Sequence, residues 1–406
     1  MSNLPKGWSL VELNEICNIN MGQSPKSESY NENNIGLPLI QGNADIKNRK
    51  TLPRTYTSDI TKKCKIGDII MTVRAPVGVI AKSYHNACIG RGVCSITPKE
   101  NNDFLYHFLV GYEDKWDKLS QGSTFTAVNG NDIKKIKLPL PPLEEQKKIA
   151  DILSTVDKKI AFVEENINAT EELKKGLMQK LLTEGIGHTE FKDSELGRIP
   201  ESWEVIPFIE LADKNIKHSF TGGPFGSDLK SEHYTDIGVR VIQLQNIGDG
   251  YFINNDFVYV SEEKAELLKS CQIYPNDIIL AKMAEPVARA CLIPDFESKY
   301  VMCSDGIRLK VDNSKFNTEF IFYSINYDNF RKIAVARSNG TTRLRIGLSA
   351  LKSIPILIPP LEEQKQIAEI LSTVDKKLEN LKEKKQSFEE LKKGLMQKLL
   401  TGEVRV

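Results

Sequence analysis

The chain has 406 residues, 40% of them hydrophobic, and a net charge of +1. That length exceeds one ordinary core, so two or more domains are expected, and near-neutrality argues against a non-specific phosphate binder. No apolar run approaches the ~20 residues needed to span a bilayer, and MSNLPKGWSL lacks the basic-then-apolar pattern of a signal peptide. Seven scattered cysteines without a C-x-x-C predict reduced, buried thiols and a cytoplasmic protein with no membrane partner.

In chain order, LPKGWSLVELNEI from Leu4 opens the first globular segment. IGDIIMTV from Ile66 is a turn dipeptide feeding a β-rich run, and VCSITP from Val93 reads as a second strand. FLYHFLVGY from Phe104 is a short apolar helix, followed by GSTFTAVNGNDIKKIKLPLPPLEEQ from Gly122. The same order then returns. IPESWEVIPFIEL from Ile199 answers the opening, with Trp203 against Trp8 as packing anchors; PNDIILAK from Pro275 and IRLKVD from Ile307 answer the strands. FIFYSINY from Phe320 answers the helix, and GTTRLRIGLSALKSIPILIPPLEEQ from Gly340 closes the second segment.

The strongest repeat is PPLEEQKKIADILSTVDKK from Pro141, which returns as PPLEEQKQIAEILSTVDKK from Pro359; EELKKGLMQKLLT from Glu171 recurs unchanged from Glu389. Each copy predicts a long helix of ~57 Å. Apolar residues at Ile149, Leu153, Val156, Ile160, Val163 and Ile167 alternate four and three apart, the seam of a coiled coil. The second copy gives Ile367, Leu371, Val374, Leu378, Leu381, Phe388, Leu391, Leu395 and Leu399, with Lys385 on the seam. Pro142 and Pro360, with the paired glutamates that follow, mark the helix starts, and Gly185 and Gly402 mark the stops. Gly176 and Gly394, inside good helix formers, are read either as sites of close approach by another helix or as surface glycines. Two such helices are expected to pair antiparallel about a pseudo-twofold axis.

The expected fold class is therefore α+β: two globular domains, 1–140 and 186–358, separated by two long helices, 141–185 and 359–406, that pair as an antiparallel coiled coil. The helix copies are nearly identical while the domains share only a skeleton, which suggests one shared mechanical partner and two different ligands. Residues 1–140 carry 18 Lys and Arg against 13 Asp and Glu; residues 186–358 carry 20 against 23. DNA as a ligand would need local patches, or positive charge from another subunit.

The duplicated PPLEEQ-x-x-IA-x-ILSTVD helix, each copy preceded by a domain that opens with P-x-x-W, resembles the specificity subunit of type I restriction–modification systems over the whole chain. The resemblance implies two target recognition domains, each reading one half of a bipartite double-stranded DNA sequence, with the coiled coil fixing the spacing. It implies two DNA methyltransferase subunits and restriction/translocase subunits as partners. S-adenosylmethionine, ATP and magnesium would belong to those partners, with no cofactor in this chain. The residues themselves carry no methyl-donor fingerprint, no N-P-P-[FY], no Walker A and no nuclease-like acidic cluster, so neither a catalytic nor a metal-ligating residue is assigned. A self-sufficient methyltransferase or nuclease is disfavoured on that ground. A structural coiled-coil scaffold with duplicated protein-binding heads is the alternative that explains the helices equally well.

Candidate DNA-contacting residues are polar or basic side chains in glycine-bearing loops, since arginine pairs with guanine, Gln and Asn with adenine, and lysine with phosphate. In the first domain they are Gln23, Ser24, Gln41, Asn43, Arg74, Lys82, Arg91, Ser123 and Thr124. In the second they are Ser227, Lys230, Gln243, Gln245, Asn246, Lys282, Arg289, Thr341, Thr342, Arg343 and Arg345. SNGTTRLR, Ser338 to Arg345, is the strongest local signal. GGPFGS from Gly222 lacks the G-K-[ST] of a phosphate loop and is read as a bend.

Overall fold

A computed structural model describes residues 4–120, 127–283, 285–341 and 343–406. The chain divides into two compact units, one formed by residues 1–166 with 381–406 and the other by residues 167–380. Each long helix, Leu143–Leu181 and Leu361–Leu399, thus contributes a stretch to both units.

Unit 1 contains a six-stranded sheet in the order Cys17–Met21, Val93–Pro98, Ile69–Thr72, Ile80–Lys82, Lys50–Thr51, Ile46–Lys47. A five-stranded sheet runs Tyr30–Asn31, Thr55–Thr57, Leu37–Ile40, Ala87–Ile89, Lys63–Cys64. The predicted IGDIIMTV and VCSITP strands pair antiparallel, Val93 opposite Thr72. Unit 2 repeats the plan with Phe220–Gly222, Gly306–Leu309, Ile278–Ala281, Ala290–Leu292 in one sheet and Tyr234–Thr235, Tyr259–Val260, Val239–Ile242, Tyr300–Met302, Gln272–Ile273 in the other. A two-stranded clip closes each domain: Ser9–Glu12 on Lys137–Leu140, and Glu204–Pro207 on Pro355–Ile358. The hairpin Phe191–Ser194 with Gly197–Pro200 is an addition of unit 2.

Packing in each unit joins sheet, helix and clip. In unit 1 Ile69, Met71, Phe104, Ile149, Leu153 and Leu399 share one buried cluster. In unit 2 Ile278, Leu280, Phe320, Leu181, Ile367 and Leu371 do the same. Burying apolar area at ~25 cal/mol per Å² makes these clusters the main cohesive force within each unit.

The repeated PPLEEQ motif has a structural cause. The indole N–H of Trp8 donates to Glu145 Oε2 at 3.0 Å, and that of Trp203 donates to Glu363 Oε2 at 3.0 Å. The amides of Gln146 and Gln364 donate to the carbonyls of Pro141 and Pro359 at 2.9 and 2.8 Å. Both tryptophans are buried, so the motif supplies a partner for an N–H that would otherwise lose its hydrogen bond to water. The chain beyond each helix returns to this node. Arg405 donates to both oxygens of Glu145, at 2.6 and 2.7 Å, and this bond holds the carboxyl below its ordinary range. In unit 2 the imidazole of His188 lies 2.8 Å from Glu363. Gly185 and Gly402 end the helical segments at φ +69° and +75°, the left-handed turn a C-terminal glycine permits.

The helices pair antiparallel within each unit. In unit 1 Lys392 meets Asp157 at 2.6 Å and Lys385 meets Glu164 at 3.2 Å, numbers falling on one helix as they rise on the other. In unit 2 Lys174 meets Asp375 at 2.5 Å. The seam differs from the expected one at a single position. The four-three spacing continues through Lys385 and Phe388 to Lys392, so Leu391 falls outside it and is 49% exposed. Lysine is tolerated on the seam because Asp157 neutralises it, a polar seam pair of the kind that fixes register. Beyond the neighbouring backbone of its own helix, no described atom lies within 4 Å of where a Cβ would stand on Gly176 or Gly394, and both are exposed, so within this chain both are surface glycines.

A second node joins each apolar helix to its coil. His107 accepts or donates to Ser154 Oγ at 3.1 Å and lies 3.8 Å from Asp157. Burial pushes its imidazole down to about 4. In unit 2 the hydroxyl of Tyr323 donates to Asp375 at 2.8 Å, and burial raises its pKa.

Candidate nucleic-acid interface

Each domain gathers several candidate residues where strands end and glycines let backbones touch. In unit 1 the strand Cys17–Met21 runs into Gly22, whose N–H donates to Val93 O at 3.0 Å. A Cβ on Gly22 would lie 2.2 Å from Gly90 O, so only glycine fits. Gly90 donates to Ile40 O at 2.8 Å, and Arg91 donates its backbone N–H to Ser24 Oγ at 3.2 Å. Val73 donates to Gly92 O at 2.9 Å. These bonds bring Gln23, Ser24, Gln41, Arg74 and Arg91 to one set of strand ends. Gln23, Gln41, Arg74 and Arg91 are exposed there.

Unit 2 builds the same frame. Gly223 donates to Gly306 O at 2.8 Å, Cys303 to Ile242 O at 2.9 Å, and Lys282 to Asp305 O at 2.7 Å. A Cβ on Gly223 would lie 1.7 Å from Cys303 O. GGPFGS is thus a bend forced by backbone contact. Gln41 and Gln243 prove equivalent, which the sequence pairing of the domains did not show. Gln41 N–H donates to Asp45 Oδ2 at 2.8 Å, and Gln243 N–H donates to Asn246 Oδ1 at 2.8 Å, each opening a short 3-10 turn.

The remaining candidates divide by what they touch. Asn43 and Gln245 are exposed on those turns, and Gln245 donates to the side chain of Gln243 at 2.9 Å. Asn246 is fully buried and donates to the carbonyls of Ile253 and Asn255, so it shapes the turn and does not face solvent. Lys82 is drawn to the apolar helix, paired with Asp103 at 2.5 Å and lying over the Tyr106 ring. Arg289 spans two loops through the carbonyls of Glu285 and Leu244. Ser227 and Lys230 are exposed on the loop after Gly222–Gly223. Ser123, Thr124 and Thr342 lie outside the described residues.

The described residues of SNGTTRLR form a small hairpin, with Asn339 and Arg345 exchanging two backbone bonds of 2.9 Å around Gly340 at φ +106°. Thr341 and Arg343 are exposed at its tip. Its return strand joins the frame, since Ile346 donates to Lys282 O at 2.9 Å. Arg345 Nη2 donates to Asp305 Oδ1 at 2.8 Å. Lys282 Nζ donates to Ser304 O at 2.9 Å, and burial, then the Arg345 charge, lowers its pKa. Asp305 was missed by a search for donors, because only the fold shows that a carboxylate holds the arginine. Among the described residues no group of three His, Cys, Asp or Glu could hold a metal ion, and no helix is long and apolar enough to cross a membrane.

Such an arrangement presents guanidinium and amide groups on two similar frames, which suits reading of nucleic-acid edges. Residues 5–172 and 228–390 match the family model described as the type I restriction modification DNA specificity domain. The chain belongs to this family of type I restriction–modification specificity subunits. It is 31% identical over 308 residues to the type I restriction enzyme MjaVIII specificity subunit of Methanocaldococcus jannaschii, covering 75% of this chain and 70% of that one. The fold is shared with the crystal structure of a type I restriction–modification S subunit from M. genitalium, at TM-score 0.62 and 16% identity, covering 98% and 97% of the two chains. It is also shared with a structure solved for complex assembly and conformational transition of the type I R-M system, at TM-score 0.60 and 18% identity, covering all of both chains. As a specificity subunit the chain is a DNA-recognition component, and each matched stretch falls on one target recognition domain and part of the long helix that follows it.

Proposed function

We propose that this subunit reads a bipartite double-stranded DNA target, one half-site per domain, with the paired helices setting the distance between them. The carrying observation is the duplicated strand-end frame, Gly22–Gly90–Gln41 in unit 1 and Gly223–Cys303–Gln243 in unit 2, bearing different side chains on the same backbone bonds. One frame with two decorations suits two half-sites of different sequence. A ~57 Å helix is long enough to serve heads on successive DNA turns, which are ~34 Å apart.

In this reading the chain is a non-catalytic, cytoplasmic subunit. It docks two DNA methyltransferase subunits, and restriction/translocase subunits join that core. S-adenosylmethionine, ATP and magnesium act on those partners, and this chain holds no cofactor. Support comes from family membership and from the missing methyl-donor and nucleotide motifs. The near-neutral charge fits binding that becomes tight only in the assembled complex, where partners add positive charge.

The test is a methylation map of the native host with the gene intact and deleted. Loss of one two-part motif with a fixed gap supports the reading; identical maps in a host with active methyltransferase subunits favour the scaffold alternative. Replacing residues 1–140 with the first domain of another member changes one half-site only. Adding about four residues after Val163 lengthens the gap and leaves both half-sites unchanged; a changed half-site with the old gap sinks the ruler.

A further inference from the structure

Lys282, Asp305 and Arg345 meet at the strand ends of unit 2, where backbone bonds identify Val73, Gly92 and Ala127 as their counterparts in unit 1. Val73 donates to Gly92 O and receives Val128 N–H; Lys282 donates to Asp305 O and receives Ile346 N–H. Arg74 bridges Ala127 as Met283 bridges Arg345. The frame therefore forms with or without the three charged side chains, and holding the turn together does not account for them. Stability does not account for them either, because an ion pair whose arginine is 55% exposed contributes little.

The geometry of the pair is directional. Asp305 is mostly covered and Arg345 is exposed. The guanidinium gives Nη2 to the carboxylate, and among the described residues its Nε and Nη1 make no hydrogen bond. A guanidinium fixed through one N–H of Nη2 keeps the other Nη2 N–H beside Nη1 or Nε, a planar fork that matches the O6 and N7 acceptors of guanine. The carboxylate also discriminates. Its negative charge beside the fork repels a backbone phosphate, with its full charge, more than the guanine edge, whose O6 and N7 carry only partial charge. The Lys282 ammonium is turned inward to Ser304 O, so it is placed to balance Asp305 and not to reach a phosphate. Unit 1 has no room for this device, because a Cβ on Gly92 would lie 2.1 Å from Gln41 O.

Resting on the half-site reading above, we propose that Arg345 reads a guanine in the half-site of the second domain and that Asp305 is its positioning residue.

The experiment uses the subunit assembled with its methyltransferase partners, carrying Arg345→Lys, Arg345→Ala or Asp305→Asn, and reads the methylated motif and binding to cognate duplex against salt. Arg345→Lys and Asp305→Asn retain size and polarity, and their thermal midpoints check folding. The expected result is relaxation at one G·C position of one half-site in all three variants, with the other half-site intact. Affinity for cognate DNA falls about 10- to 100-fold, and the slope of log K against log salt is unchanged. Arg345→Lys that keeps the motif, with a salt slope reduced by about one for Arg345→Ala, means a phosphate contact and overturns the proposal. Tighter binding by Asp305→Asn with an unaltered motif overturns it equally. Exchanging residues 186–358 for another member's domain separates the two levels. A motif that follows the exchange but ignores Arg345 sinks only this assignment, and a motif that ignores the exchange sinks the half-site reading.

Discussion

At the helix junctions the two units share the tryptophan–glutamate bond and the seam lysine–aspartate pair, and at the strand ends they share backbone bonds but not side chains. Trp8 and Trp203 reach Glu145 and Glu363 at the same 3.0 Å, and Asp157 and Asp375 each take a seam lysine. At the strand ends Val73, Gly92 and Ala127 stand against Lys282, Asp305 and Arg345. The difference separates two kinds of constraint. A buried indole N–H needs an acceptor at hydrogen-bond distance, so its surroundings are fixed. A strand end held by backbone bonds accepts many side chains, so it can change ligand without changing fold.

The largest expected effect comes from breaking what the units share. Glu363→Ala leaves the Trp203 N–H unpartnered in a buried setting, and Glu145→Ala leaves both Trp8 and Arg405. Each should cost about 2–4 kcal/mol in urea unfolding. Loss of less than half a kcal/mol from either would show that the node is ornamental.

Next comes a contrast at one frame position. Gly92→Ala should cost about 2–3 kcal/mol, because the new methyl meets a backbone oxygen that cannot rotate away. Asp305→Ala, at the equivalent site of unit 2, should stay within about 1 kcal/mol. Paired melts of the two variants check the contrast; equal costs would mean that the frames differ more than their hydrogen bonds show.

Acid sensitivity should distinguish the second pair of nodes. His107 binds its proton near pH 6.5 when unfolded and only near pH 4 when folded. Below pH 6.5 the unfolded state therefore holds more protons, and stability falls as pH drops toward 4, by about 3 kcal/mol in all. His107→Tyr gives unit 1 the residue that unit 2 carries as Tyr323 and should remove this fall between pH 6.5 and 4. Parallel unfolding curves for variant and parent across that window would dismiss the account.

The smallest effect belongs to the seam. Lys385 is part-exposed and shared between Glu164 and Glu389, so Lys385→Ala should change stability by under about 1 kcal/mol. Thermal unfolding of that variant at low and high salt checks it, the difference from the parent shrinking as salt rises.

Sequence alone was enough for whatever rests on local periodicity and repetition. The four-three spacing from Ile149, the prolines and glutamates at the starts, and Gly185 and Gly402 at the stops located both helices, because helix geometry is a property of neighbours along the chain. The duplicated PPLEEQ segment likewise exposed the two-domain plan. Tertiary structure decided what depends on residues far apart in the chain. It moved the seam from Leu391 to Lys392, where Asp157 on the facing helix pairs with the ammonium. It turned Asn246 inward and drew Lys82 to Asp103, although both look like DNA ligands in the sequence. It also brought Asp305 to Arg345 across 40 residues. Residue type announces what a side chain can bind, but which partner it meets is set by backbone contacts that no local pattern encodes.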